Sequence, residues 1–303
     1  MRVKKLWEEL KAVLEENQIW KDEPMKRHTT FQTGGPADWY LTPRAEQLVP
    51  LFAMLKQRKE QVTIIGNGSN LLVGDGGIRG VVVEIGKAMQ EISVSGNVIT
   101  AQAGAVLGSV VSKACKNSLT GMEFAAGIPG TVGGAMVMNA GAYGGEMKDV
   151  VSKVKVLTPE GEILSLKASE MEFGYRKSIV AEKGYVVLEA DFLLEPGKME
   201  EIQAKMEELR RQRISKQPLE YPSAGSTFKR PEGYFAGKLI MDCGLSGFSV
   251  GGAKVSEKHC GFVINRGGSA RDILAVIRHV QKKVKENYGV ELETEVKLVG
   301  EFL

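Results

Sequence analysis

At 303 residues, with 43% hydrophobic and 25% charged side chains, the chain has the make-up of a globular protein with room for two or more core-bearing units. Its 40 Lys+Arg against 37 Asp+Glu leave a net charge of +3, too balanced for a nucleic-acid footprint. Three scattered cysteines (Cys115, Cys243, Cys260) and three histidines (His28, His259, His279) show neither a disulfide framework nor metal-ligand spacing.

The N-terminus is charged and lacks the apolar run of a signal peptide. No stretch approaches the ~18 apolar residues of a membrane span. A cytoplasmic protein is expected, without a membrane, a nucleic acid or an obligatory protein as partner. An opening helix carries Val3, Leu6, Leu10, Val13 and Leu14 on one face, and Asn17 marks its stop. A turn-rich link from Thr29 to Pro36 leads into a strand near Ala37–Leu41. Thr42 and Pro43 read as N-cap and first position of a helix reaching Lys59. Val62–Ile65, Gly80–Ile85 and Val98–Ala103 read as strands, and Leu107–Asn117 as a helix. Val154–Leu157 and Glu162–Leu166 flank the hairpin signal Pro159-Glu160-Gly161, and Tyr185–Leu194 is another strand.

Beyond Glu195-Pro196-Gly197, where the main boundary is placed, Met199, Ile202, Met206, Leu209 and Ile214 mark a helix that ends before Pro218. The basic run Arg210-Arg211-Gln212-Arg213 on that helix reads as a solvated face. Ser269, with Asp272 three residues on, opens a helix in the manner of a capping box. Ile273, Val276, Ile277, Val280 and Val284 line its buried face, and a final strand covers Leu292–Val299. Strands and helices alternate irregularly, with hairpin signals among them, which argues α+β. The organisation expected is an N-terminal helical segment over 1–28, a region over 29–196 and a C-terminal domain over 197–303.

Two glycine-rich segments, Gly66–Gly77 and Gly127–Gly145, carry the chemical signal. In the first, Gly66-Asn67-Gly68-Ser69-Asn70 follows a strand. Glycine there allows positive φ and close backbone approach, so N–H groups can converge on an anion, with Ser69 and the two Asn as neutral donors. No Lys is present, so this is not a Walker loop, and the GxGxxG spacing is absent. A tight turn is the competing reading. The second segment includes Gly127, Ile128, Pro129, Gly130, Thr131, Gly133 and Gly134. It is dense in Gly and Ala over far more residues than a turn needs. It suits backbone packed against a large flat group such as a flavin and its diphosphate, or close packing of backbone layers.

With Gly174-Tyr175-Arg176, Gly225-Ser226-Thr227-Phe228-Lys229 and Glu293-Thr294-Glu295-Val296 further on, these motifs come in the order of the UDP-N-acetylenolpyruvoylglucosamine reductases, which the chain resembles from about Thr29 to its end. The resemblance implies an FAD-binding region of the vanillyl-alcohol-oxidase (PCMH) type over 29–196, built of two α+β subdomains, and an α+β substrate-binding domain over 197–303. FAD would be held non-covalently, since neither glycine-rich segment contains a histidine. NADPH would be the hydride donor, and the enolpyruvyl ether of a UDP-sugar would be reduced during peptidoglycan precursor synthesis.

The family pattern assigns three residues to the chemistry. Arg176 would stabilise charge on the substrate carboxylate, for which a planar guanidinium is suited. Ser226 would donate the proton, aided by nearby positive charge such as Lys229. Glu295 would orient the carboxylate or assist as an acid. Substrate contacts are expected from Lys229, His259, Tyr143 and Tyr221, with a structural role for His259 equally open. The strand near Tyr185 follows Arg176 almost at once, so the chain resembles the short form without the tyrosine-bearing loop. Arg230 stands where the long form has asparagine. Two other readings are an FAD oxidase of the same superfamily and a nucleotide-binding regulatory protein with a degenerate site. A colourless preparation favours the latter.

Overall fold

The structure, a computed structural model, describes residues 2–303, with side chains from residue 5 onward. Val3, expected on a buried helix face, lies outside the described side chains. The chain forms two compact units, each discontinuous in sequence. The first comprises Met1–Trp20, Tyr40–Asn67 and Gly80–Gln212; the second comprises Lys21–Trp39, Gly68–Arg79 and Arg213–Leu303. Among the described residues, no helix is long and apolar enough to cross a membrane.

In the first unit, helix α1 (Arg2–Lys11) buries Leu6 and Leu10 and ends before Asn17. The reason lies in Gln18. Its side chain accepts the Glu15 N–H at 2.8 Å, donates to the Thr42 carbonyl at 3.0 Å and pairs with the buried Gln47 amide. Those bonds replace the helical ones. The same pair sets the start of α2 (Ala45–Arg58). Gln47 accepts the Arg44 N–H at 2.8 Å, so Arg44 is the N-cap, while the Thr42 N–H goes to the Gln18 carbonyl.

Strand Val62–Ile65 pairs in parallel with Ile78–Glu84, Val62 opposite Val81. A five-stranded antiparallel sheet follows, in the order Ile163–Lys167, Val151–Leu157, Val186–Leu193, Val98–Gln102, Ile92–Ser95. Alternation places Ile99, Ala101, Val154, Val156, Ala190 and Phe192 in its core. Helices α3 (Leu107–Lys116) and α4 (Val132–Met138) pack on its central strands. Gly133 makes the close approach possible, since a Cβ there would lie 3.2 Å from that of Ala103. After the short helix α5 (Ile179–Lys183), α6 (Met199–Lys216) buries Ile202 and Leu209 but leaves Met199 and Ile214 exposed. Its solvent face carries the pairs Lys205–Glu208 and Glu207–Arg210. The position Glu195-Pro196-Gly197 lies inside this unit. There Glu195 and Pro196 pair with Leu119–Thr120, and the Gly197 N–H donates to the Ser118 carbonyl at 2.7 Å.

The second unit packs Phe31, Leu72, Phe228, helix α7 (Ala236–Asp242) and a three-stranded sheet against α8 (Ala270–Tyr288). The buried face of α8 is Ile273, Val276, Ile277, Val280 and Val284, as its periodicity requires. Ser269 and Asp272 form the reciprocal capping box. Asp75 completes the cap, its two oxygens accepting the Ala270 and Arg271 N–H groups at 2.9 Å. The final strand is regular only at Lys297–Val299, which pairs in parallel with Leu71–Val73. Residues 293–296 instead lie along Thr227–Lys229, with Thr294 opposite Phe228.

Candidate active site

In the first unit the two glycine-rich segments meet. The Asn67 amide donates to the Pro129 carbonyl at 2.6 Å, and a Cβ on Gly66 would lie 2.5 Å from Thr131 Oγ1. Thr131 is the buried N-cap of α4, its hydroxyl accepting the Gly134 N–H at 3.4 Å. Gly127, Ile128 and Gly130 are half-buried, while Pro129 and Gly134 are exposed. The result is side-chain-free backbone with neutral donors and no lysine. This donor set suits a diphosphate and a flat ring.

Gly68, Ser69 and Asn70 belong to the second unit. Gly68 has φ +59° and would place a Cβ 1.9 Å from the His28 carbonyl oxygen, so the turn requires glycine there. Ser69 is half-buried. The Asn70 amide donates to the Glu295 carbonyl at 3.1 Å. Gly74 and Gly77, later in the same segment, are forced by close approach to the Glu301 and Pro36 carbonyls.

Arg176 occupies a tight turn in the first unit. Gly174 and Lys177 exchange backbone hydrogen bonds of 3.0 and 3.3 Å, with Tyr175 and Arg176 between them. Arg176 has φ +57°, a conformation that a non-glycine residue adopts at a cost of about 1–3 kcal/mol. Its guanidinium lies 5.1 Å from the Tyr175 ring centroid. Tyr143 sits at a similar tip. It and Gly144 join Gly141–Ala142 to Gly145–Glu146, with φ of +54° and +91°. Such hairpin turns favour Asn or Gly at the first central position, so an exposed tyrosine there is also strained.

In the second unit Ser226 and Glu295 lie on adjacent segments. Between them, Thr227 is fully buried and bonded on three sides. Its N–H donates to the Gly261 carbonyl at 2.8 Å, its hydroxyl accepts the Val263 N–H at 2.9 Å, and its carbonyl accepts the Glu295 N–H at 2.9 Å. Ser226 and Glu295 are themselves half-buried. Lys229 is engaged with Glu293 at 2.7 Å, which holds the Glu293 carboxyl below its usual range.

His259 Nδ1 accepts the Gly261 N–H at 3.1 Å, which fixes the ring proton on Nε2. Burial lowers its pKa, so the ring is neutral near pH 7. Tyr221 is exposed, with the Arg266 guanidinium 5.7 Å from its ring centroid. Among the described residues, no group of three or more His, Cys, Asp or Glu could hold a metal ion.

Residues 40–167 match the FAD binding domain profile. Residues 217–299 match the C-terminal domain of UDP-N-acetylenolpyruvoylglucosamine reductase. The reductase of that name from Agathobacter rectalis is 57% identical over 297 residues, spanning 94% of this chain and 95% of the relative. That of Caldanaerobacter subterraneus is 56% identical, spanning 98% of both. The chain belongs to the UDP-N-acetylenolpyruvoylglucosamine reductase family.

The crystal structure of the reductase from Thermus caldophilus superposes with a TM-score of 0.80 at 36% identity, covering 91% of this chain and 97% of that one. The expected α+β class, with an FAD-binding region and a C-terminal domain, is therefore that of the family. Asn139 and Glu146, which no sequence motif singles out, lie beside the Arg176 turn. The one sequence signal was Asn139 itself, an Asn in the segment Asn139-Ala140-Gly141 where a helix stops, a place that favours the left-handed conformation.

Proposed function

We propose that this chain reduces UDP-N-acetylenolpyruvoylglucosamine to UDP-N-acetylmuramate with NADPH, as a step of peptidoglycan precursor synthesis in the cytoplasm. The observation that carries the reading is the match over 217–299. An FAD-binding domain is common to many oxidoreductases, whereas this C-terminal domain is named for one reductase. Residues 29–196 would carry the cofactor and 197–303 the substrate.

Bound FAD would supply the redox chemistry, two-electron hydride transfer between NADPH and the enolpyruvyl double bond. Gly66, Asn67 and Gly127–Gly134 would hold its diphosphate by backbone and neutral donors, with Gly68, Ser69 and Asn70 continuing the same loop. Arg176 holds the substrate carboxylate, onto which negative charge moves as the double bond is reduced. Its turn keeps the backbone fixed while that charge develops. Ser226 Oγ–H gives the proton to the carbon next to the carboxylate. Gly225, with φ +74°, and the triply bonded Thr227 set its backbone on either side.

Glu295 orients the carboxylate, its backbone held by Thr227 and Asn70. The neutral His259, with Nε2–H as donor, serves as a polar contact, and Tyr143, Tyr221 and Lys229 face the uridine diphosphate part. The test is NADPH consumption by the purified FAD-loaded protein with and without the enolpyruvyl substrate, with the product analysed by mass spectrometry. The reading predicts a product heavier than the substrate by two hydrogens. No substrate-dependent consumption of NADPH would refute it.

A further inference from the structure

Asn139 caps the C-terminus of α4 in the left-handed conformation, with φ +41° and ψ +57°, and is 1% exposed. All of its side-chain polar groups are used. Nδ2 donates to Glu146 Oε2 at 2.8 Å and to the Gly174 carbonyl at 3.1 Å, and Oδ1 accepts the Lys148 N–H at 3.0 Å. One buried amide thus joins three things: the end of the helix that begins at Thr131, the hairpin that carries Tyr143, and the turn that carries Arg176. The fully buried Ser178 fastens the other side of that turn, its hydroxyl donating to the Val137 carbonyl at 3.0 Å. Both fastenings reach the last turn of α4.

The two turns so fastened are the ones that hold a tyrosine and an arginine at positive φ. Strained conformations persist where surrounding structure over-determines them. Glu146 adds charge to the arrangement. The Lys148 ammonium at 2.9 Å chiefly, then the Asn139 amide and the charge of Arg176, hold its carboxyl below the usual range against the opposing effect of partial burial. An anionic carboxylate is thereby fixed within electrostatic reach of the Arg176 guanidinium.

We propose that Asn139 is a positioning residue for the reduction, holding the Gly174–Lys177 turn and the Glu146 carboxylate so that Arg176 presents its guanidinium to the substrate carboxylate in one fixed orientation. The inference rests on the reading of Arg176 given under the proposed function. It separates two duties of α4. Its start serves the cofactor through Thr131, and its end serves the substrate through Asn139. A defect at the end should therefore slow reoxidation by substrate and leave reduction by NADPH alone.

The test is a double-mutant cycle on the FAD-loaded full chain, with the two half-reactions followed separately by anaerobic stopped flow. Asn139→Gly removes the side chain and keeps the left-handed backbone accessible. Asn139→Asp keeps the shape and places a carboxylate against Glu146. Each should bind FAD and be reduced by NADPH at the wild-type rate, while reoxidation by substrate slows about 10²-fold, the scale of an ångström of misplacement. In the Arg176→Lys background, Asn139→Gly should slow reoxidation by less than about threefold further, since coupled residues are non-additive. Multiplying effects of the two substitutions would overturn the positioning role. So would equal slowing of both half-reactions, the mark of a general structural defect. Unchanged reoxidation in Arg176→Lys alone would overturn the underlying reading of Arg176, and is distinguishable from both.

Discussion

Replacing Gly66 by alanine tests whether the two glycine-rich segments meet. Gly66 does not have positive φ, so the backbone accepts alanine and any cost comes from the added methyl. That methyl would lie 2.5 Å from Thr131 Oγ1, a separation that real Cβ atoms do not show. Thr131 is 4% exposed and cannot swing its hydroxyl into solvent. Overpacking of this kind costs about 1–3 kcal/mol. Loss of the Thr131 cap adds less than about 1 kcal/mol, since its bond to the Gly134 N–H is long at 3.4 Å. A total near 2 kcal/mol corresponds to about 30-fold in an equilibrium constant.

The strain divides between folding and cofactor binding according to how far the loops relax without FAD. The assay therefore measures both the melting of the apoprotein and the FAD dissociation constant, by flavin fluorescence. The two losses should together reach about 2 kcal/mol. Removing the obstacle should restore most of it, so Gly66→Ala should cost less than a third as much in a Thr131→Ala background. Loss of less than about 0.5 kcal/mol in both assays, or an equal cost in the two backgrounds, would refute the contact.

Ser226→Ala should leave flavin reduction by NADPH at its wild-type rate and abolish reoxidation by substrate, as read by stopped-flow absorbance; normal turnover would remove Ser226 from the mechanism. Asp75→Ala should destabilise the chain by about 1–2 kcal/mol through loss of the α8 cap, and Asp75→Asn by less, since one acceptor oxygen remains. Urea melts of the two variants check that order. His259 has its pKa lowered by burial, so it stays neutral in the folded chain at pH values where the unfolded chain is already protonated. Its contribution is present above the unfolded value of about 6.5 and is lost as pH falls toward the folded one. Thermal melts of His259→Gln should therefore decline less than wild type between about pH 7 and about pH 5; parallel curves would contradict the assignment.

Local signals located most elements. The capping box at Ser269 and the apolar face from Ile273 to Val284 fixed α8, and Pro159-Glu160-Gly161 fixed the hairpin between Val151–Leu157 and Ile163–Lys167. Elements whose limits depend on distant partners are not marked by local sequence. Thr42-Pro43 looked like a helix start, but Gln47 caps Arg44 because its amide is also tied to Gln18. Leu292–Val296 alternates like a strand, yet residues 293–296 follow Thr227–Lys229 individually rather than as a regular ladder.

Within the site, glycine density could not separate two kinds of glycine. Gly66 approaches the Thr131 side chain across a contact between two loops, while Gly74 and Gly77 are required by backbone packed against Glu301 and Pro36. The roles proposed for Arg176 and Ser226 rest on the motifs around them, which resemble those of a family. Asn139 is legible only as a helix stop, since its partners Glu146, Lys148 and Gly174 converge only in the fold.

The most direct test of the whole account is optical. The purified protein is made anaerobic, and the flavin absorbance is followed as NADPH and then UDP-N-acetylenolpyruvoylglucosamine are added. The expected result is a yellow protein that bleaches with NADPH and regains its colour when the enolpyruvyl sugar is added, with UDP-N-acetylmuramate formed in amount equal to the flavin reoxidised. A protein that carries no flavin, or that bleaches and stays bleached on addition of that sugar, would contradict it.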